Sequence, residues 1–334
     1  MYRVLFLIVI SLALGPGRGP QRGSAGSPAE QRGPHAGSPR GVQDLGWGAI
    51  PAGVEAGNAQ APDRPVNLAV LDFGDSSFGR LASDTLSTNL KSEAELIAFD
   101  RDQSRVAARG ASYSGSLNLS LYEARVLGAA IGCDYYVLGD AQTLRRSPST
   151  GPIYFESYAS IFLVSSRTGR LVLWDRPNFQ ASTFEAAEKL LLAELSSNDA
   201  RDRYVVSIRR AQENERKERE LAIDAKTIII EAAPDDDRIA DAQGLRLPRP
   251  YRRLHPAYPW SAARAEVEAT VDVLVDLDAT GELTRVEVAR WAGFGLDEAT
   301  VETVRQLHFF PAMRNGTPIP LRVLLRYNFR KPPK

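Results

Sequence analysis

The chain has 334 residues, a length that predicts two folded units with a tail or linker. Its 43% hydrophobic and 25% charged residues exclude wholesale disorder and collagen-like or coiled-coil fibres, and 41 Lys and Arg against 41 Asp and Glu leave a formal net charge of +0, which argues against a nucleic-acid partner. One cysteine, Cys133, excludes an intramolecular disulfide, a thiolate zinc cluster and an iron–sulfur site, and three scattered histidines (His35, His255, His308) make no metal cage, so neither cofactor nor metal is expected.

Met1, Tyr2 and Arg3 form a short positive start, followed by the apolar run Val4 to Leu14. Eleven helical residues rise only about 17 Å, against a hydrocarbon core of about 30 Å. That length favours a cleavable secretory signal over residues 1–15, with a short signal anchor as the alternative. Both export the rest of the chain, and membrane association would run through residues 4–14. Residues 16–65 are dominated by Gly, Pro, Ser, Ala and Arg, a composition that cannot bury enough surface to offset its ordering entropy. They are expected to be a disordered linker.

Residues 66–208 predict an α/β domain with a mixed sheet. Val66 to Phe73 is an apolar, β-rich run that ends at Gly74, as a strand buried on both faces would. Phe78, Leu81, Ala82, Leu86 and Leu90 then recur at helical spacing. A short strand follows at Leu96 to Phe99 and a helix at Gln103 to Arg109. Ser120-x-x-Glu123 has the form of a capping box, opening a helix with Ala124, Leu127 and Ile131 on one face. Gly132-Cys133-Asp134 ends that helix and Tyr135 to Gly139 is the next strand. Ile153 to Ser165 and Leu171 to Trp174 predict a hairpin, and Phe184 to Leu195 another helix.

Four blocks in this stretch, AVLDF, FDRDQ, LSLYEARVLGAAIGCDYYVLGDA and SSRTGRLVLW, resemble the domain shared by CsgG-like curli-secretion proteins and the TolB amino-terminal domain, over most of residues 66–195. The resemblance implies a cell-envelope binding or assembly module without catalysis. The lipid-bearing cysteine and the pore hairpins of the secretion channel have no counterpart here. Catalytic signals fail on context. Asp72-Phe73-Gly74 has the form of the kinase magnesium tripeptide, but no glycine-rich or catalytic loop precedes it, so it is read as a strand end and turn. Cys133 has no base near it in sequence. Asp72, Asp75, Asp100, Asp102 and Asp134 fall where caps and turns want carboxylates. No catalytic residue is assigned, and the chain is read as a non-enzyme.

Residues 209–250 are a charged helix and connector: RRAQENERKERELAIDAK pairs Glu with Arg and Lys at helical spacing, and TIIIE (227–231) is a short β-like run. Residues 251–334 carry the clearest pattern. Every odd residue from Val267 to Leu277 is apolar, the mark of a strand with one buried face. Asp278-Ala279-Thr280-Gly281 turns into the partner strand Leu283 to Arg290. Leu296, Ala299, Thr300, Thr303, Val304 and Leu307 share a helical face, Asn315-Gly316 is a turn, and alternation returns from Ile319 to Phe329. The whole is α+β, ending in a ββαβ unit with one wet sheet face and at least one unpaired edge.

His255-Pro256-Ala257-Tyr258-Pro259, VEATVDVLVDLDATGELTRVEV, Gly295-Leu296-Asp297, Phe309-Phe310-Pro311-Ala312 and Asn315-Gly316-Thr317-Pro318 resemble the TonB carboxy-terminal domain over about residues 251–329. The resemblance implies a periplasmic domain that pairs a strand with outer-membrane receptors and passes on force from inner-membrane motor proteins in a Gram-negative-type cell. It places the accepting edge on the last strand, at Leu321, Arg322, Val323, Leu324, Leu325, Arg326, Tyr327 and Asn328, with His255, Tyr258 and Pro259 beside the receptor contact. His255 stands where that family often has Gln. Two functions follow: an energy transducer for outer-membrane transport, or a soluble periplasmic scaffold or assembly factor without force transduction.

Overall fold

The computed structural model describes residues 9–12, 65–224, 230–234 and 237–331. The rest of the apolar start, residues 16–64 of the expected linker and residues 227–229 lie outside the described residues. Strand β1 is Val9–Leu12. The first domain then runs β2 (Val66–Phe73), α1 (Ser77–Lys91), β3 (Leu96–Ala98), α2 (Arg101–Gly110), α3 (Leu121–Ile131), β4 (Tyr135–Arg146), β5 (Tyr154–Ser165), β6 (Leu171–Asp175), β7 (Asn178–Ala181), α4 (Phe184–Leu195) and α5 (Asn198–Asp224).

Local chemistry sets these boundaries. The side chains of Ser76, Asp100 and Thr183 accept the backbone N–H of Gly79, Gln103 and Ala186, capping α1, α2 and α4. Ser120 and Glu123 close a complete capping box at α3. The sheet order is β3-β2-β4-β5-β6, with β7 also on β5; β3, β2 and β4 are parallel and the remainder antiparallel. β2 is buried on both faces: Leu68 and Val70 join α1, α4 and α5 in one core, while Ala69 and Leu71 join α2 and α3 in another.

The chain continues through β8 (Glu231–Ala232), α6 (Asp237–Ala242), β9 (Leu245–Arg246), β10 (Arg249–Pro250) and α7 (Trp260–Arg264). It then forms β11 (Ala269–Leu277), β12 (Leu283–Arg290), α8 (Leu296–Arg305), β13 (Phe309–Phe310), β14 (Ala312–Arg314), β15 (Thr317–Ile319) and β16 (Leu321–Phe329). β11 lies antiparallel between β12 and β16, and Val271, Val273, Val275, Leu277, Leu321, Val323, Leu325 and Tyr327 bury one face of that sheet with α8. The connector does not stand apart. α5 runs unbroken through residue 208, with Tyr204, Val205 and Ile208 in the first domain's core. Residues 231–250 pair into the last domain, β8 with β16, β9 with β14 and β10 with β13.

The two domains share a core, because β12 leads into an aromatic turn that plugs the first sheet. Trp291 is 1% exposed, stacks on Phe162 with ring centroids 5.6 Å apart, and donates its indole N–H to the Gly169 carbonyl at 3.0 Å. Phe294 packs on Trp174 at 5.0 Å. Between them Gly293, at φ +71°, lies so close to Phe162 and Trp174 that a Cβ would stand 2.7 Å and 2.8 Å from their rings. Glycine alone fits there. Asn118 ties the domains by its side chain, donating to the Thr270 and Trp291 carbonyls and accepting from the Thr270 N–H. Arg170–Glu287, Arg290–Glu123 and Arg264–Glu156 ring the contact.

Candidate functional site

β16 is held in place by β11 in a continuous register from Leu277↔Leu321 to Ala269↔Phe329. The sheet face expected to be wet is instead partly sealed. Asp272 and Asp276, each 4% exposed, stand directly across the ladder from Arg326 and Arg322. Arg326 grips Asp272 with two hydrogen bonds of 2.7 and 2.8 Å, and Arg322 grips Asp276 at 2.5 and 2.7 Å. Arg290 adds a third charge 3.5 Å from Asp272. The Asp276 carboxylate raises the Arg322 guanidinium above its ordinary value. These arginines therefore brace the sheet and do not stand free at its border.

The expectation of an open border also needs correction. β8 lies parallel to the start of β16, pairing Leu321↔Glu231 and Arg322↔Ala232, and Ala233 donates its N–H to the Arg322 carbonyl at 2.8 Å. Glu231 is fixed by a two-pronged ion pair with Arg314. Further along, β1 runs parallel with Val9↔Leu324, Ile10↔Leu325, Ser11↔Arg326 and Leu12↔Tyr327. The cause is general. An edge strand presents unpaired N–H and C=O groups that any extended segment can satisfy, and here the chain's own segments do so. Backbone groups alternate in direction along an antiparallel pair. Because the Arg322 carbonyl faces β8, the amides of Leu324 and Arg326 face outward as well.

The other anticipated site residues lie elsewhere. Tyr258 is half-buried, donates its hydroxyl to the Val267 carbonyl at 2.5 Å, and its ring lies 6.2 Å from that of Phe329, at the far end of β16. Pro259 is the residue before α7 and sets its entry. His255 is exposed in the preceding loop. The structure brings Tyr258 to the end of β16.

In the first domain the tempting groups are structural. Asp100 caps α2, Asp134 accepts the Asn67 N–H, Asp102 pairs with Arg105, and Asp72 meets Arg101 and Arg105. Cys133 is buried 3.5 Å from the Ser166 hydroxyl, and burial pushes its thiol up to about 11, the opposite of an activated nucleophile. Among the described residues no cluster of His, Cys, Asp and Glu could hold a metal, and no helix is long and apolar enough to cross a membrane.

Fold and site define an α+β protein whose last strand, β16, carries the chain's own β1 and β8 along its outer border. Residues 254–330 match the family described as Gram-negative bacterial TonB protein C-terminal, so the chain ends in a TonB-like domain. Among solved structures, the TonB CTD of Pseudomonas aeruginosa is 20% identical, with 26% of this chain and 87% of that chain covered at a TM-score of 0.21. Lipoprotein GNA1162 from Neisseria meningitidis is 15% identical, with 41% and 99% covered at 0.29. E. coli LpoB is 16% identical, with 47% and 91% covered at 0.26. No curated protein matches the chain.

Proposed function

We propose that this is a non-enzymatic protein of the cell envelope whose TonB-like domain captures an extended segment of a partner protein along β16. The partner is an outer-membrane receptor or another envelope protein. One observation carries the reading: the outward border of Leu324–Tyr327 already accepts a strand, β1 of the same chain. A border that pairs with one extended segment by main-chain hydrogen bonds can pair with another. The two fates of residues 1–15 then have distinct results. Cleavage removes β1 and opens the border, whereas retention makes β1 an occupant that the partner must displace. The first domain, with its likeness in sequence to CsgG-like and TolB amino-terminal domains, is the assembly platform.

In the transducer reading the captured segment belongs to an outer-membrane receptor and inner-membrane motor proteins supply force. The shared core favours the second reading, an assembly factor without force transduction, because Trp291 and Phe294 bind the TonB-like unit to its platform. The test uses the full chain and a chain lacking residues 1–12. TonB-box peptides are titrated into both, and amide shifts and hydrogen exchange are read along β16. Binding should shift and protect Leu324 and Arg326, more strongly in the shortened chain. Unmoved amides along β16 in both chains would end the reading.

A further inference from the structure

On the face of β16 that carries Leu325 and Tyr327, the run from α6 to residue 254 arches over a cavity of about 560 Å3, within the roughly 300–1,000 Å3 usual for ligand pockets. Its floor is apolar, built from Leu245, Leu307, Phe309 and Leu325. Its rim is basic. Arg246, Arg249, Arg252 and Arg253 are all exposed, and among the described residues none of the four makes an ion pair. Asp241 is the single carboxylate in the lining. Tyr327, 4% exposed, turns its side chain into this wall with a hydroxyl that has no hydrogen-bond partner among the described residues. An unsatisfied buried hydroxyl is costly, so a side chain that hydrogen-bonds to it is favoured there.

Leu325 and Tyr327 belong both to this lining and to the stretch of β16 that pairs outward. Residues directly opposed in a ladder put their side chains on the same face, and every second residue returns to that face. Any strand added to β16 therefore aims the side chains opposite Leu325 and Tyr327 at the cavity, whose lining carries the four arginines. We propose that this cavity selects the partner by charge: the added segment is acidic, with an apolar side chain opposite Leu325, a hydrogen-bonding side chain such as Thr opposite Tyr327, and Asp or Glu at the flanking same-face positions. Four unpaired arginines around an apolar floor complement that pattern and disfavour a basic one.

The inference rests on strand addition at β16, and its test separates the two. Three synthetic peptides of that alternating pattern, identical except for Glu, Gln or Lys at the outer positions, are titrated into the full chain and into the chain lacking residues 1–12. Affinity is measured at low and high salt, with amide shifts read at Leu324–Tyr327. The Glu peptide should bind about tenfold or more tightly than the Gln peptide, and the advantage should fade by about 0.5 M salt, where screening is nearly complete. A chain carrying Arg252→Glu and Arg253→Glu should lose that preference and gain affinity for the Lys peptide. Equal affinity for all three peptides overturns the charge selection and leaves strand addition standing. No shift along β16 with any peptide overturns both. If phosphatidylglycerol vesicles bind through these arginines while the Glu peptide does not, the guest is a membrane surface and the proposal fails.

Discussion

Asp297 shows how a single side chain can carry a pH signature. It sits in the first turn of α8, 3% exposed, and accepts the backbone N–H of Ala292 at 2.9 Å and of Gly293 at 2.8 Å. Burial pushes its carboxyl up to about 7, against the pull of those two N–H donors, with the neighbouring Glu298 charge adding to the rise. A carboxyl raised in the folded state holds its proton there after the unfolded chain has lost it. Its stabilising contribution is therefore complete below about pH 4 and is lost as pH rises through about 7. The melting temperature should fall between about pH 4 and 7, and Asp297→Asn should flatten that part of the curve at the cost of one backbone hydrogen bond. A curve that keeps its slope in the variant would assign the effect to other groups. Asp272 and Asp276 are the residues the sequence did not announce as buried. Alternation placed them on the polar face correctly, but only the ladder register reveals that an arginine stands across from each.

At the level of elements, legibility followed the strength of local signals. β2, β12 and α4 have the limits that periodicity predicts, because each is bracketed by turn or capping chemistry. The capping box of α3 was readable to the residue. Ser120→Ala removes its hydroxyl from the Glu123 N–H, and should lower stability by about 1 kcal/mol in a denaturant titration. No change would mean that the Glu123 arm, which accepts from the Ser120 N–H at 2.8 Å and pairs with Arg290, holds the turn alone. Other elements had no such signal. β4 continues to Arg146 through polar residues because β5 pairs with it along its whole length. β7 and the two- and three-residue strands β8, β9, β10, β13, β14 and β15 exist only through tertiary pairing, which no local pattern encodes. Leu81 has the spacing of a core residue yet is 49% exposed, since the helical stripe of α1 is wider than the surface that covers it. The candidate border was legible as a strand; its occupants, β1 and β8, lie hundreds and tens of positions away in sequence.

For the molecule as a whole, length predicts two folded units, and in the structure the two stretches read as domains are packed into one another. One core runs from Leu71 and Tyr136 through Phe162, Trp174, Trp291 and Phe294 to Val273 and Leu325. Unfolding should therefore be one coincident transition by far-ultraviolet and tryptophan signals. Trp291→Ala should cost about 3–5 kcal/mol, as large-to-small substitutions in cores do, and should also split the transition in two. A single unsplit transition in that variant would show that the charged ring of Arg170, Arg264 and Arg290 suffices to hold the halves together.

The aromatic turn has one more consequence. Cut the chain near residue 250, where its domains divide by sequence, and the indole of Trp291 and the ring of Phe294 lose Phe162, Trp174 and the Gly169 carbonyl in a single stroke. The excised fragment would carry a sticky flank with an orphaned donor at its centre. Self-association on that flank would be an artefact of the cut, so pairing between such fragments says nothing about how the intact molecule meets its partners.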